Sequence, residues 1–159
     1  LKRLTSLIKI CMVAKGKIVI ADEREITGQR SALNFGHTIG HAIEKISNHR
    51  VSHGQAVATG VVVESYLSYL LGKMSQKDSL RIRNMMLQYG FRDYIDRTAE
   101  KLYNVIKLDK KNREGKICLP LVASIGKVAK NKDDWMFCFE EKKFKKLLKS
   151  LIELTNKVS

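Results

Sequence analysis

The chain has 159 residues, a length that buries about 68–70% of the unfolded surface and supports one core without covalent staples. Thirty Lys and Arg against sixteen Asp and Glu leave a formal charge of +14, which raises nucleic-acid binding as a function. The lysines, however, are dispersed among apolar residues, and no aromatic stacking platform or recognised nucleic-acid motif accompanies them, so that reading is set aside.

Leu1 to Met12 places Leu4, Leu7, Ile8, Cys11 and Met12 at helical spacing. The pattern is already under way at the first residue, and the sequence reads as a piece of something longer. Lys15 to Glu25 is ambiguous in period: Gly16 weakens a helix, and Ile18-Val19-Ile20-Ala21 alone would suit a strand. Asp22, Glu23 and Glu25 read as a solvated acidic face.

All four histidines fall in the next stretch, RSALNFGHTIGHAIEKISNHRVSHGQAVATG, from Arg30 to Gly60. A helix from Ser31 to Ser47 would set Arg30, Asn34, His37 and His41 at steps of four, three and four on one polar face. Leu33, Ile39, Ala42, Ile43 and Ile46 would form its buried side, so the stripe should line a cleft. Gly36 and Gly40 would each cost that helix about 1 kcal/mol relative to Ala, a loss that close approach to a neighbouring helix or a ligand would offset. After a polar turn containing His49, read as a solvated loop residue, Ser52 and Gln55 form a capping box. It puts His53 in the first turn of a second helix. Two imidazoles from one helix and a third from the mouth of the next suit a divalent ion such as Zn²⁺.

That second helix runs to Leu71 and stops at Gly72, carrying Val57, Val61, Tyr66, Leu67 and Leu70 and few charges. Its interruptions, Thr59, Gly60, Glu64, Ser65 and Ser68, argue against a membrane span. Ser75 with Asp78 opens another helix that ends at Gly90, and Thr98 to Ile106 is a further short one. Lys116 to Leu119 and Trp135 to Phe139 are strand candidates, separated by Pro120 and a polar run. Phe144, Leu147, Leu148, Leu151 and Ile152 make the last helix amphipathic, with lysines on its wet face. Cys11, Cys118 and Cys138 lie far apart without C-x-x-C spacing, which argues against a disulfide framework and for a reducing, cytoplasmic setting.

The run from Lys15 to Gly60 resembles the signature block of the 3-dehydroquinate synthase family: a lysine, D-E-x-E, L-N-F-G-H-T-x-G-H-A-I-E and, after a loop, H-G-E-A-V-A-x-G. LDKKNREGKICLPLVASIGK, from Leu108 to Lys127, resembles the family's D-K-K, L-P and I-G segment. Two departures stand out. One extra residue separates Glu25 from Arg30, and Gln55 replaces the family's glutamate.

The resemblance implies a mainly α fold with a small β hairpin, forming one C-terminal helical domain over residues 1–159 whose N-terminal nucleotide-binding domain is absent. It implies helix around Lys15, His37 and His53 as ligands of Zn²⁺ or Co²⁺, and His41 and Glu25 as catalytic groups. Lys15, Arg30, Asn34, Lys110 and Lys111 would bind substrate. The substrate would be a phosphorylated sugar acid. NAD⁺ and the third metal ligand would come from the missing domain, which leaves this chain with little activity alone, and a homodimer is among the family's expectations. A related sugar-phosphate cyclase or a metal-dependent alcohol dehydrogenase is the alternative.

Overall fold

A computed structural model describes residues 2–91, 99–109, 112–132 and 134–157, the last four of these as backbone only. It is mainly helical. Helix α1, Lys2–Ala21, takes in the ambiguous stretch as far as Ala21, and Asp22 to Glu25 form the turn beyond its end. A 3₁₀ turn, Gln29–Asn34, follows, then α2, His37–Ile46, and α3, His53–Leu70. Helix α4, Gln76–Gln88, starts at Ser75, whose hydroxyl accepts the Asp78 N–H at 3.1 Å, and Gly90 beyond its end takes φ 79°. Helix α5 is Ala99–Ile106, and Thr98 lies outside the described residues. The amphipathic α6, Glu141–Lys157, closes the fold.

The predicted strands exist and pair with each other: β1, Ile117–Leu119, lies antiparallel to the third strand after it, Phe137–Phe139. The expected small β hairpin is formed by other residues. A separate pair, β2, Val122–Ser124, with β3, Lys127–Val128, is inserted between β1 and its partner, so Phe137–Phe139 is β4. In the β1–β4 register Cys118 faces Cys138, and the two are joined by a disulfide. This overturns the reading of unpaired cysteines, because strand register, not sequence spacing, brings these two together. Cys11 is free and exposed. Among the described residues no helix is long and apolar enough to cross a membrane.

One core joins these layers. Ile39 and Ala42 of α2, Val63 and Leu67 of α3, Leu102 and Ile106 of α5, the β1 and β4 side chains Ile117, Leu119, Phe137 and Phe139, and Phe144, Leu148 and Leu151 of α6 are all buried in it. Helix α3 is buried nearly all round, as its apolar sequence predicts, whereas α1 has no buried residue.

The predicted helix from Ser31 to Ser47 is broken. Gly36, with φ 82°, separates the 3₁₀ turn from α2 and serves as the helix N-cap, so only Gly40 is inside a helix. The close approach invoked for the glycines is to α3. A Cβ on Gly60 would overlap the Gly36 carbonyl, and one on Gly40 would come within 3.0 Å of the Val57 Cα. Asp22 is likewise no part of a wet face. It is buried, and its carboxylate accepts the N–H groups of Thr27 at 2.9 Å and Arg30 at 3.1 Å.

Candidate metal and anion site

Three imidazoles meet where α2 and α3 begin. His37 opens α2, His41 lies one turn on, and the short turn between the helices returns His53 to the same place. The ring centroids are 5.3 Å apart for His37 and His41, 5.4 Å for His37 and His53, and 6.0 Å for His41 and His53. His49, in the turn, is exposed. Ser52 is the N-cap of α3, but its hydroxyl donates to the Gln55 side chain at 3.2 Å rather than capping a backbone N–H.

The outer nitrogens of two rings are occupied. His37 Nδ1 lies 3.2 Å from the Phe35 carbonyl oxygen; a carbonyl only accepts, so Nδ1 carries the proton and Nε2 of the neutral ring keeps its lone pair. His53 Nδ1 lies 3.1 Å from Glu44 Oε2, and a carboxylate accepting there fixes the same tautomer. An acceptor behind an imidazole orients metal-binding histidines and makes them better donors. Glu44 also belongs to a tight trio: His41, Glu44 and His53 each offer a ligand atom, all within 4.8 Å of one another. Nitrogen donors with one carboxylate, partly open to solvent, fit a borderline divalent ion such as Zn²⁺ or Co²⁺.

Beside the rings lies a cleft of about 540 Å³, lined among others by Lys15 of α1, by Glu25, Arg30 and Asn34 from the segment between α1 and α2, by His37, and by Arg113. Thus Lys15, Glu25, Arg30 and Asn34 share a wall with His37 although no single helix carries them. Arg30 Nε pairs with Glu25 Oε1 at 3.1 Å, and Arg30 Nη1 donates to the Glu23 carbonyl at 3.1 Å. Such half-solvated pairs contribute about 0–1 kcal/mol, so the guanidinium can turn to an incoming anion at small cost. Glu25 holds φ 55°, a left-handed conformation that few non-glycine residues adopt. Asp22 anchors that turn from within. Burial raises its carboxyl, but the N–H bonds from Arg30, Thr27 and Ile26 and the Thr27 hydroxyl outweigh it, and the net shift is downward. Lys110 and Lys111 lie outside the described residues.

Sequence reasoning missed Glu44, Glu64 and Arg113. Glu44 stands three residues after His41 on the same helical face, a spacing that could have flagged it. Arg113, held by Asp134 at 2.7 Å, carries no local signal, because apart from Met136 its neighbours in the cleft come from the first 37 residues.

The fold is similar to that of a solved 2-deoxy-scyllo-inosose synthase complexed with carbaglucose-6-phosphate, NAD⁺ and Co²⁺. The TM-score is 0.79 at 21% identity, over 94% of this chain and 41% of that one. It is also similar to a 2-epi-5-epi-valiolone synthase from Streptomyces hygroscopicus subsp. jinggangensis 5008 with NAD⁺ and Zn²⁺ bound, with a TM-score of 0.60 at 20% identity over 76% of this chain and 32% of that one. At these identities the likeness establishes fold alone. A 3-dehydroquinate synthase of Thermoanaerobacter pseudethanolicus is 45% identical over 127 residues, which is 79% of this chain and 35% of that protein. The chain therefore spans about a third of the length of that relative. Residues 1–112 match the family described as 3-dehydroquinate synthase C-terminal, and the chain belongs to that family.

Proposed function

We propose that this chain is the metal- and substrate-binding part of a 3-dehydroquinate synthase. The complete enzyme would convert 3-deoxy-D-arabino-heptulosonate 7-phosphate to 3-dehydroquinate and phosphate, in the shikimate route to aromatic amino acids. The observation that carries the reading is the convergence of His37, His41 and His53 beside a cleft walled by Lys15, Arg30 and Asn34. When bound, the metal would supply Lewis acidity, and NAD⁺ would take up a hydride and return it within one turnover, so the sum would be redox-neutral.

The chain's own residues do the rest. His37 and His53 would hold the ion, their Nδ1 atoms being directed to the Phe35 carbonyl and Glu44. Lys15, Arg30 and Arg113 give the cleft three cations for the carboxylate and phosphate of a sugar acid, the arginines as planar forks. Asn34 donates to and accepts from ring hydroxyls. His41 would shuttle protons, as the resemblance implies, although it lines a separate pocket with Thr38, Lys45 and Asp109 and not the cleft of His37. Glu25 orients Arg30 and is the carboxylate available to the same cleft. One of Lys110 and Lys111, the pair that matches the family's D-K-K, would reach the phosphate. The nucleotide-binding half of the enzyme holds NAD⁺ and adds the third metal ligand, so this chain by itself turns over little substrate. We place the enzyme in the cytoplasm on its likeness to 3-dehydroquinate synthases, since the Cys118–Cys138 disulfide removes the argument from unpaired cysteines.

Complementation tests this reading: the nucleotide-binding half is added with NAD⁺, Zn²⁺ and the heptulosonate phosphate, and phosphate release is followed. The native chain should restore turnover, and His37→Ala should lower it by at least about 100-fold. Restored turnover that is indifferent to His37→Ala, or robust turnover by this chain alone, would overturn the assignment. The resemblance in fold to a 2-deoxy-scyllo-inosose synthase favours a second sugar-phosphate cyclase as the alternative; a panel of sugar phosphates in the same assay separates the two.

A further inference from the structure

Glu64 sits in the middle of α3 with no solvent exposure at all. Its two carboxylate oxygens are directed at the start of the neighbouring helix: Oε2 accepts the Gly36 N–H at 2.7 Å and Oε1 the Ile39 N–H at 3.1 Å. Gly36 is the N-cap of α2 and Ile39 its third residue. Those are the two donors that a capping box satisfies with two side chains of the helix itself. Here one carboxylate, 25 and 28 residues away in sequence, satisfies both.

The substitution has a steric reason. Gly36 must be glycine, because it takes φ 82° and lies against α3 with its carbonyl over Gly60, and a glycine has no side chain with which to cap. A negative charge at a helix N-terminus also meets the positive end of the helix dipole. The residue between the two bonded donors that opens α2 is His37. Its backbone position, and hence the origin from which its ring reaches the ion, is set by where Glu64 holds the first turn.

We propose that Glu64 is a positioning residue for the metal centre: its buried carboxylate caps α2 from α3 and thereby fixes His37 relative to His53, which α3 itself carries. The inference rests on the reading of His37 and His53 as metal ligands. Glu64→Gln keeps the volume but leaves one acceptor oxygen, and it turns an amide donor towards a backbone donor.

The test is Zn²⁺ affinity by competition with a chelator, compared across the native chain, Glu64→Gln, His37→Ala and Ser68→Ala. Ser68 lies one turn further along α3, donates to the Glu64 carbonyl and accepts the Val122 N–H, so its variant loses two buried bonds of the same helix away from the histidines. Glu64→Gln should lose about 10–100-fold in Zn²⁺ affinity, the range for residues that orient ligands, while Ser68→Ala loses stability but keeps affinity. If His37→Ala weakens binding and Glu64→Gln does not, or if Ser68→Ala weakens it equally, the positioning role is wrong. If His37→Ala has no effect, the ligand assignment fails instead. Should Glu64→Gln not fold, amide hydrogen exchange in the native chain decides: the Gly36 and Ile39 N–H groups should be as protected as the middle of α3, and loop-like exchange would sink the proposal.

Discussion

Asp22 ties the end of α1 to the 3₁₀ turn, and through the Arg30 backbone it sets one wall of the candidate cleft. The fold holds its carboxyl below the ordinary value of 3.8. A carboxylate whose folded value is depressed adds stability above its unfolded value, and that contribution fades as pH falls through the folded one. Asp22→Asn should therefore be less stable than the native chain near neutral pH, and the difference should shrink as the pH is taken below 3.8. Thermal melts of both chains across the acid range check this, and a gap that widens with acid would contradict it. Nothing in the letters marked Asp22 as buried, since D-E-R-E reads as a surface run until the chain folds back and supplies N–H donors from Thr27 and Arg30. The histidines were legible for the opposite reason. Steps of four along a helix are geometry that the sequence itself carries, so His37 and His41 could be paired without any tertiary information.

Helices α2 and α3 cross backbone to backbone at Gly36, Gly40 and Gly60. Gly60→Ala would drive a methyl into the Gly36 carbonyl, and neither partner is a side chain able to swing aside. Overpacking of this kind costs about 1–3 kcal/mol or more, a fall in Tm of roughly 2–10 °C for a chain of this size. A calorimetric scan showing no change would mean that the crossing is looser than described. The sequence announced two glycines in need of a reason, and the reason proved to be a neighbouring helix. It did not announce the break at Gly36, because the group that caps α2 belongs to another helix far along the chain. The disulfide was hidden in a similar way: β1 and β4 must first find their register over the inserted β2–β3 pair before Cys118 faces Cys138.

Across the molecule, packing is uneven. The strands, α3, α5 and α6 share one core, whereas α1 leaves Leu4, Leu7, Ile8, Ile10, Met12 and Val13 exposed. A helix without buried side chains opens at little free-energy cost, so limited trypsin digestion of this chain should cut first within α1, at Lys9 or its basic neighbours, with the segment from α2 to α3 intact. First cleavage in α3 would contradict the described packing, and mass spectrometry of early fragments reads the outcome. Amphipathic spacing in α6 and the largely apolar, nearly uncharged sequence of α3 made the core readable from sequence. Arg113 was not readable, since only the folded chain brings it to the wall built by Lys15 and Arg30.

Helix α3 bears His53 at its tip and, about three turns along, the carboxylate that seats the helix of His37. Any sliding or tilting of that rod must carry both imidazoles in the same direction. Movements of surrounding parts would thus leave the spacing between the two imidazoles unaltered, and the proposed metal site would be insulated from them.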